Sequence, residues 1–434
     1  MANNLARVFL GNGNNTEKKA YVWNTLNGVV FAAQSVLMLM IITRVSDLAT
    51  AGIFSIAYST ASMLMNMGLY GMRYFQVSDY DRIYSFREYV TSRKVTTWAM
   101  IIVGAGYMLM MALTGQYTAE KAAIVMLMVI FKALDAIEDV YTADYQNCGR
   151  LDAGAKMVTI RLLFSLVVFG AALMITRSLL VTLAITDILS YGYVIVAVKA
   201  MAPYFKKEGE TRERGKVKKL LLVCFPLFAA QFLSLYLTNA PKYSIDTLLS
   251  EEVQACYGFL SMPVFIVGLL SNFIFQPIIT NMSAAWSEGR YGDLRKIVIR
   301  QTGIIGMLTA ALLIGGYFLG LPILSWLYHT DLSDYLTELM ILLVGGGLMA
   351  LSRYFVTVVT VMRRQKMITV GYLVTSVAAL LLSNAVVRQY GITGACVVYT
   401  GSMLLLTVIL VVIAVIFTRG GGTFWQGQRE NDTL

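Results

Sequence analysis

Charge is what this sequence has least of. Asp, Glu, Lys and Arg make up only 14% of its 434 residues, against about 25% in a soluble domain. A soluble fold of this length could not cover its surface with so few charges. Histidine occurs once, as His329. The four cysteines (Cys148, Cys224, Cys256 and Cys396) stand singly, with no C-x-x-C pair and no Cys/His ligand spacing. Neither disulfides nor zinc are therefore expected, and no cofactor is expected. Nor is a cleavable leader: residues 1–19 are polar, and the apolar run after them is already long enough to span a bilayer.

Apolar sequence fills the chain instead. Hydrophobic residues make up 57%, and the mean hydropathy is +0.66. They gather into runs of about 20 residues, the length that crosses a bilayer. The expected fold class is an all-α polytopic membrane protein. Twelve spans are expected, near 20–43, 51–72, 95–114, 120–142, 157–176, 178–200, 219–240, 253–280, 299–320, 336–361, 367–387 and 392–418. Basic residues set the orientation. The two termini and the loops near 73–94, 143–156, 203–219, 281–300 and 362–366 hold 26 of the 35 Lys and Arg. The opposite side has Arg44, Lys121, Arg177, Lys242 and Arg388. Both termini are thus expected to be cytoplasmic. The net charge of +10 reads as topology and an anionic-lipid contact, not as a nucleic-acid footprint.

The basic stretch 203–219, PYFKKEGETRERGKVKK, divides the chain into a six-helix lobe over 1–202, a second over 220–418 and a tail, 419–434. Its GETRERGK segment is not a phosphate loop. The glycine spacing is one residue too long, no Ser or Thr follows the Lys, and no strand precedes it. Phe31-Ala32-Ala33-Gln34 in the first span recurs as Phe228-Ala229-Ala230-Gln231 in the seventh. That suits two parallel halves related by an axis along the membrane normal. Proline is absent from 1–202, and Pro226, Pro241, Pro263 and Pro277 lie in or beside the seventh and eighth spans. Interior prolines remove helix hydrogen bonds and permit bends, so a flexible helix pair is expected there.

The fourth span breaks the apolar rule. On a helix, Lys132, Asp135, Glu138, Asp139 and Thr142 fall within an arc of roughly 120°. In a membrane such a stripe must face a protein interior or a watery cavity. Asp187 also sits near mid-span, and Arg161 and Arg353 lie in the cytoplasmic third. Arg161 is placed to pair with Glu138 or Asp139 across the 143–156 loop, which would make it structural. Lys132 and Arg353 lack so clear an acid, although Asp135 lies three residues from Lys132. They are the stronger candidates for an anionic ligand. Asn24, Asn27 and Gln34 share a face of the first span, and Gln231, Ser234 and Thr238 share one of the seventh, leading to Lys242. A cavity lining is expected from both, while Lys242 could equally snorkel to the outer surface. The stripe of Ser55, Ser59, Ser62 and Asn66 reads as helix packing or as cavity lining.

Residues 132–152, KALDAIEDVYTADYQNCGRLD, resemble the fourth-helix segment of bacterial polysaccharide flippases in the multidrug/oligosaccharidyl-lipid/polysaccharide exporter superfamily. Residues 226–246, PLFAAQFLSLYLTNAPKYSID, resemble that family's N-x-P-[KR]-Y-x-I-D segment, here Asn239, Pro241, Lys242, Tyr243, Ile245 and Asp246. MRYFQVSD at 72–79 is similar to the loop after its second span. The resemblance covers nearly the whole chain. It implies a V-shaped, MATE-like fold of two six-helix lobes. It also implies a flippase, not an enzyme, in the bacterial cytoplasmic (inner) membrane. Such a protein moves a polyprenyl-pyrophosphate-linked oligosaccharide outward for cell-surface polysaccharide biosynthesis, by alternating access coupled to an ion gradient. The residues expected to bind substrate are Lys132, Arg161, Arg353, Asn24, Gln34, Gln231 and Lys242, and those expected to couple an ion are Asp135, Glu138 and Asp139. The implied partners are the lipid-linked glycan, membrane lipids and a polysaccharide polymerase complex; nucleic acid is not among them. One departure stands out: no set of central arginines occupies the first two spans, and Arg44 and Arg73 sit at their ends.

Three other readings stay open. A multidrug or cation antiporter on the same fold would favour an acidic, aromatic cavity. A polymerase, ligase or glycosyltransferase of lipid-linked sugars would carry a larger extramembrane part. The longest outer loop expected here, near 321–335, is short, although it holds His329, Asp331 and Asp334. A structural partner in a polysaccharide assembly complex is the third.

Overall fold

The computed structural model describes residues 2–11, 16–79, 83–205, 215–264 and 278–419, and among them there is no strand. Chain contacts separate two units, Met1–Phe232 and Leu233–Leu434.

The first unit holds α1 (Ala2–Leu10), α2 (Thr16–Val45), α3 (Leu48–Leu69), α4 (Met72–Ser78), α5 (Phe86–Leu113), α6 (Ala119–Asn147), α7 (Leu151–Thr176) and α8 (Leu179–Met201). It also takes the first part of α9 (Lys216–Leu248). Short, capped turns make consecutive long helices antiparallel neighbours. Asp47 caps α3 by accepting the Thr50 N–H at 2.9 Å. The hydrogen bond from the Thr50 hydroxyl, and then that from its N–H, hold the Asp47 carboxyl below its ordinary value. A depressed folded value means the cap stabilises above the unfolded value and is lost as pH falls through the folded one. Asp47→Ala should therefore cost about 1 kcal/mol at neutral pH, with the difference from wild type vanishing in acid, read as thermal midpoints across pH. Ser85 and Glu88 form a reciprocal capping box at the start of α5. Between α6 and α7 the chain reverses through Gly149 at φ 71°. There the Arg150 N–H reaches the Tyr145 carbonyl at 2.8 Å and the Gly149 N–H reaches Gln146 at 2.9 Å. This double bond pattern needs a left-handed residue, which glycine adopts without penalty.

The segment 72–79, expected as loop, is helical as α4. Met72 and Gln76, one turn apart, are its buried residues. Gln76 Nε2 donates to the Val140 carbonyl of α6 at 2.9 Å, and Asn147 Nδ2 donates back to the Gln76 carbonyl at 2.8 Å.

The second unit continues α9 and adds α10 (Glu251–Leu260), α11 (Ile279–Ser287), α12 (Tyr291–Gly315), α13 (Leu321–Tyr328), α14 (Leu336–Val361) and α15 (Gln365–Arg419). Pro226 and Pro241 lie inside α9, which runs through both. Thr238 Oγ1 and Asn239 Nδ2 each reach carbonyls one turn back at 3.0 Å. Pro277, half of the expected span 253–280, most of the 203–219 linker and the tail lie outside the described residues. The expected outer loop 321–335 is half helix: a π-helical turn, Gly316–Gly320, carries α12 into α13. Pro322 stands just after that π-helical turn, and the helical run continues past it. Gly391, at φ 58° and ψ −136°, breaks α15 into the two expected spans.

Glycines let α14 approach its neighbours. A Cβ on Gly345 would lie 2.7 Å from the Tyr399 ring, and one on Gly347 would lie 2.6 Å from Thr309 Oγ1. Gly347→Val should cost about 1–3 kcal/mol by overpacking. An unchanged thermal midpoint in detergent would contradict that close approach. Among the described residues nine helical segments are long and apolar enough to cross a membrane, the last carrying the Gly391 break. The charged α6 is not one of them. The protein is multi-pass.

Candidate functional site

The polar interior of the first unit is organised by α6. Successive residues on a helix point about 100° apart, so Glu138 and Asp139 face different neighbours. Glu138 turns to α7, where its Oε2 lies 2.6 Å from Arg161 Nε. Asp139 turns to α4 and α5. Its Oδ1 is 2.9 Å from Arg73 Nη1 and its Oδ2 is 2.6 Å from Arg93 Nη2. Asp135, one turn earlier, accepts from both Lys132, at 3.1 Å, and Arg161.

Of the two acids expected for Arg161, the structure pairs it with Glu138 and adds Asp135, while Asp139 takes two arginines instead. Lys132 is also more fully engaged than its sequence context suggested. It is wholly buried, bonds Gln34 Oε1 of α2 at 3.2 Å, and lies 4.4 Å from the Tyr58 ring centre and 5.0 Å from that of Phe31. Gln34 in turn donates to Ser165 of α7 at 3.3 Å. One cation therefore ties α2, α3 and α6 together, the arrangement that makes a buried charge tolerable.

Arg93 was not legible as a site residue. It sits in a stretch expected to be loop, but α5 begins at Phe86 and places it inside at 2% exposure. Besides Asp139 it donates to the Gly68 carbonyl at 2.7 Å, and Thr96 donates to the same oxygen at 2.8 Å. That carbonyl belongs to the last turn of α3, where no intrahelical donor remains. Gly68 has no side chain, so α3 closes on α6 there; a Cβ would lie 2.9 Å from that of Ala136.

These groups border a cavity of about 300 Å³ within the first unit, lined by Asn24, Asn27 and Phe31 of α2, Arg73 of α4, Asp135, Glu138, Asp139 and Thr142 of α6, and Arg161 of α7, among others. Gly154 lets α7 close on Thr142 beside it. Arg73 is the accessible cation, with its side chain 34% exposed. It spans Asp139, Thr142 at 2.9 Å and Gln146 at 2.8 Å. Arg161 Nη1 and Asn27 Oδ1 are buried with no hydrogen-bond partner. Counted together, Arg73, Arg93, Lys132 and Arg161 face Asp135, Glu138 and Asp139, leaving one positive charge over. A surplus cation with free N–H groups at a polar cavity favours an anionic ligand, phosphate above all.

Of the residues singled out in sequence, Asn24, Gln34, Lys132, Asp135, Glu138, Asp139 and Arg161 meet in or directly behind this cavity. Gln231 is half-buried on α9, Lys242 is half-buried further along the same helix, and Arg353 is exposed on α14; none of the three lines the cavity. His329 ends α13 with its ring Nδ1 3.2 Å from the Trp326 carbonyl, and Asp331 accepts from the Ser333 N–H at 3.0 Å. Both serve the local turn.

No protein-family model matches the sequence, and no curated protein matches it. Solved structures do match the fold. An inward-facing multidrug resistance MATE family transporter of the MOP superfamily superposes with TM-score 0.65 at 12% identity, covering 89% of this chain and 94% of that one. The outward-facing form of such a transporter gives TM-score 0.57 at 11% identity, covering 96% and 98%. The lipid II flippase MurJ in an inward closed conformation gives TM-score 0.69 at 11% identity, covering 90% of this chain and 87% of that one. The chain has the all-α, MATE-like fold that its sequence led one to expect, shared by drug transporters and a lipid flippase alike.

Proposed function

We propose that this protein is a flippase that moves a polyprenyl-pyrophosphate-linked oligosaccharide across the bacterial cytoplasmic membrane, for cell-surface polysaccharide synthesis. The observation that carries the reading is the polar cavity of the first unit, where Arg73 and Arg161 stand over a cluster with one surplus positive charge. A lipid-linked sugar has a hydrated head and a tail that can remain in lipid. Its pyrophosphate needs Arg or Lys partners in a low-dielectric site. The fold shared with MurJ, itself described as a lipid II flippase, supports the same substrate class.

In this reading two lobes, 1–202 and 220–418, joined by the basic 203–219 segment, alternate access to the two sides. Both termini are cytoplasmic, by the bias of basic loops. An ion gradient drives the cycle, since a ligand or ion can shift such an equilibrium only through different affinities for its two states. Arg353 and Lys242 of the second unit remain substrate-binding candidates of this reading. Wild-type protein in liposomes should expose a fluorescent polyprenyl-pyrophosphate glycan to an impermeant reagent. Export of cationic drugs without glycan movement would instead favour the antiporter reading.

A further inference from the structure

A second buried ionisable group lies outside that cluster. Asp187 sits on α8, about a third of the way along the helix, and is 5% exposed. Its face of α8 packs between α6 and α7, while the next two residues, Ile188 at 71% and Leu189 at 45% exposure, look outward. No donor reaches either carboxylate oxygen, and Ser190 Oγ, one turn on and fully buried, is also without a partner. Thr186 beside it spends its hydroxyl on the Thr182 carbonyl at 2.7 Å. Among the described residues, every buried carboxylate of the cavity cluster has a cation; Asp187 has none.

Among the described residues, no charged side chain on the packed helices pairs with Asp187. On α6, Lys132, Asp135 and Glu138 belong to the cavity cluster, and Lys121 lies against the Tyr117 ring at 4.3 Å. On α7, Arg161 is shared by Asp135 and Glu138. Arg150 and Asp152 pair with each other at the α7 start, and Lys156 lies over the Trp23 ring at 5.2 Å. On α1, Arg7 is exposed at the opposite end of α8 from its start, where Phe9 packs against Tyr193. On α8 itself, Tyr193 donates to the Met157 carbonyl at 3.0 Å, and Lys199 lies in the last turn. Tyr191, also on α8, commits its hydroxyl to the Ile130 carbonyl of α6 at 2.8 Å.

An ionised carboxylate with neither donor nor counter-charge is costly inside a membrane protein, whereas the protonated acid is tolerated. A metal cation is a poor alternative occupant. Hard cations take about six oxygen ligands, and Asp187 with Ser190 offers three. Among the described residues no group of three or more His, Cys, Asp or Glu is placed to hold a metal ion.

We propose that Asp187 is a proton-carrying group of the transport cycle, protonated in the conformation described here and ionised in another. Binding adds one proton to an Oδ and turns carboxylate into carboxylic acid; release to water on the other side reverses it. The proposal rests on the reading of the chain as a gradient-driven transporter and names the group that senses the gradient.

The test uses purified full-length protein in lipid nanodiscs, titrated with pH while the infrared C=O band of carboxylic acids is followed. The wild type should show a titrating band that Asp187→Asn lacks and that Asp187→Glu retains at a shifted midpoint. Asn copies the shape of the protonated acid, so the variant should keep the wild-type thermal midpoint. In liposomes, an imposed pH gradient should speed glycan movement by the wild type several-fold and leave Asp187→Asn unaffected. Identical infrared titrations of wild type and Asp187→Asn would overturn the proposal, as would equal responses to the pH gradient or a response to a sodium gradient instead. A wild type that moves no glycan counts against the flippase reading alone, because the infrared measurement needs no substrate.

Discussion

Asp135→Asn is expected to destabilise the first unit by about 3–5 kcal/mol, the usual cost of removing one partner from a buried ion pair. Asp135 serves two cations that are both wholly buried, Lys132 at 3.1 Å and Arg161. Without its charge Lys132 would keep only the neutral Gln34 carbonyl oxygen and the rings of Tyr58 and Phe31, and Arg161 would keep only Glu138. The strain falls on one side, since Lys132→Met leaves Asp135 its arginine and should cost much less. Combining the two substitutions should recover most of the loss, because it removes the stranded cation along with its acid. Thermal midpoints of the purified single and double variants check this. Additive losses, or an unaltered midpoint in Asp135→Asn, would show that the two groups do not depend on each other.

Arg73→Ala is expected to slow transport about 10–100-fold with little change in stability. Hydrogen bonds to charged groups contribute about 1.5–3 kcal/mol, and Arg73 is the cation whose side chain is open to the cavity. Its partly exposed pair with Asp139 should contribute at most about 1 kcal/mol to folding, and Asp139 retains Arg93. Arg73→Lys should fall between, because an ammonium cannot reproduce the planar fork that spans Asp139, Thr142 and Gln146. Initial transport rates set against thermal midpoints separate ligand binding from folding. A wild-type rate in Arg73→Ala would remove it from the site.

The stripe on α6 was legible because ions inside an apolar run have so few permitted environments. The partners of those ions were not. Which acid meets which cation depends on how α4, α5 and α7 pack around α6, and residue order does not contain that. Arg93 is the sharpest case. Its flanks, FREY and TSRK, read as polar loop, yet they form the first turns of a helix that starts well before its apolar run. The turn at Gly149 and the break at Gly391 were visible as interruptions between apolar runs. LPILSWLY, expected in the outer loop 321–335, forms α13, because the helical run continues past 320 through a π-helical turn. The mid-span position of Asp187 could be read directly; its lack of a donor could not.

The most direct test of the central claim is glycan flipping by purified protein in liposomes, with wild type and Arg73→Ala compared on a polyprenyl-pyrophosphate-linked oligosaccharide and on a cationic dye. The expected result is that the wild type exposes the glycan to an impermeant reagent, Arg73→Ala does so at least about tenfold more slowly, and neither moves the dye. Dye movement by the wild type with no glycan movement would contradict the anion-binding reading of the cavity and favour a cation transporter on the same fold.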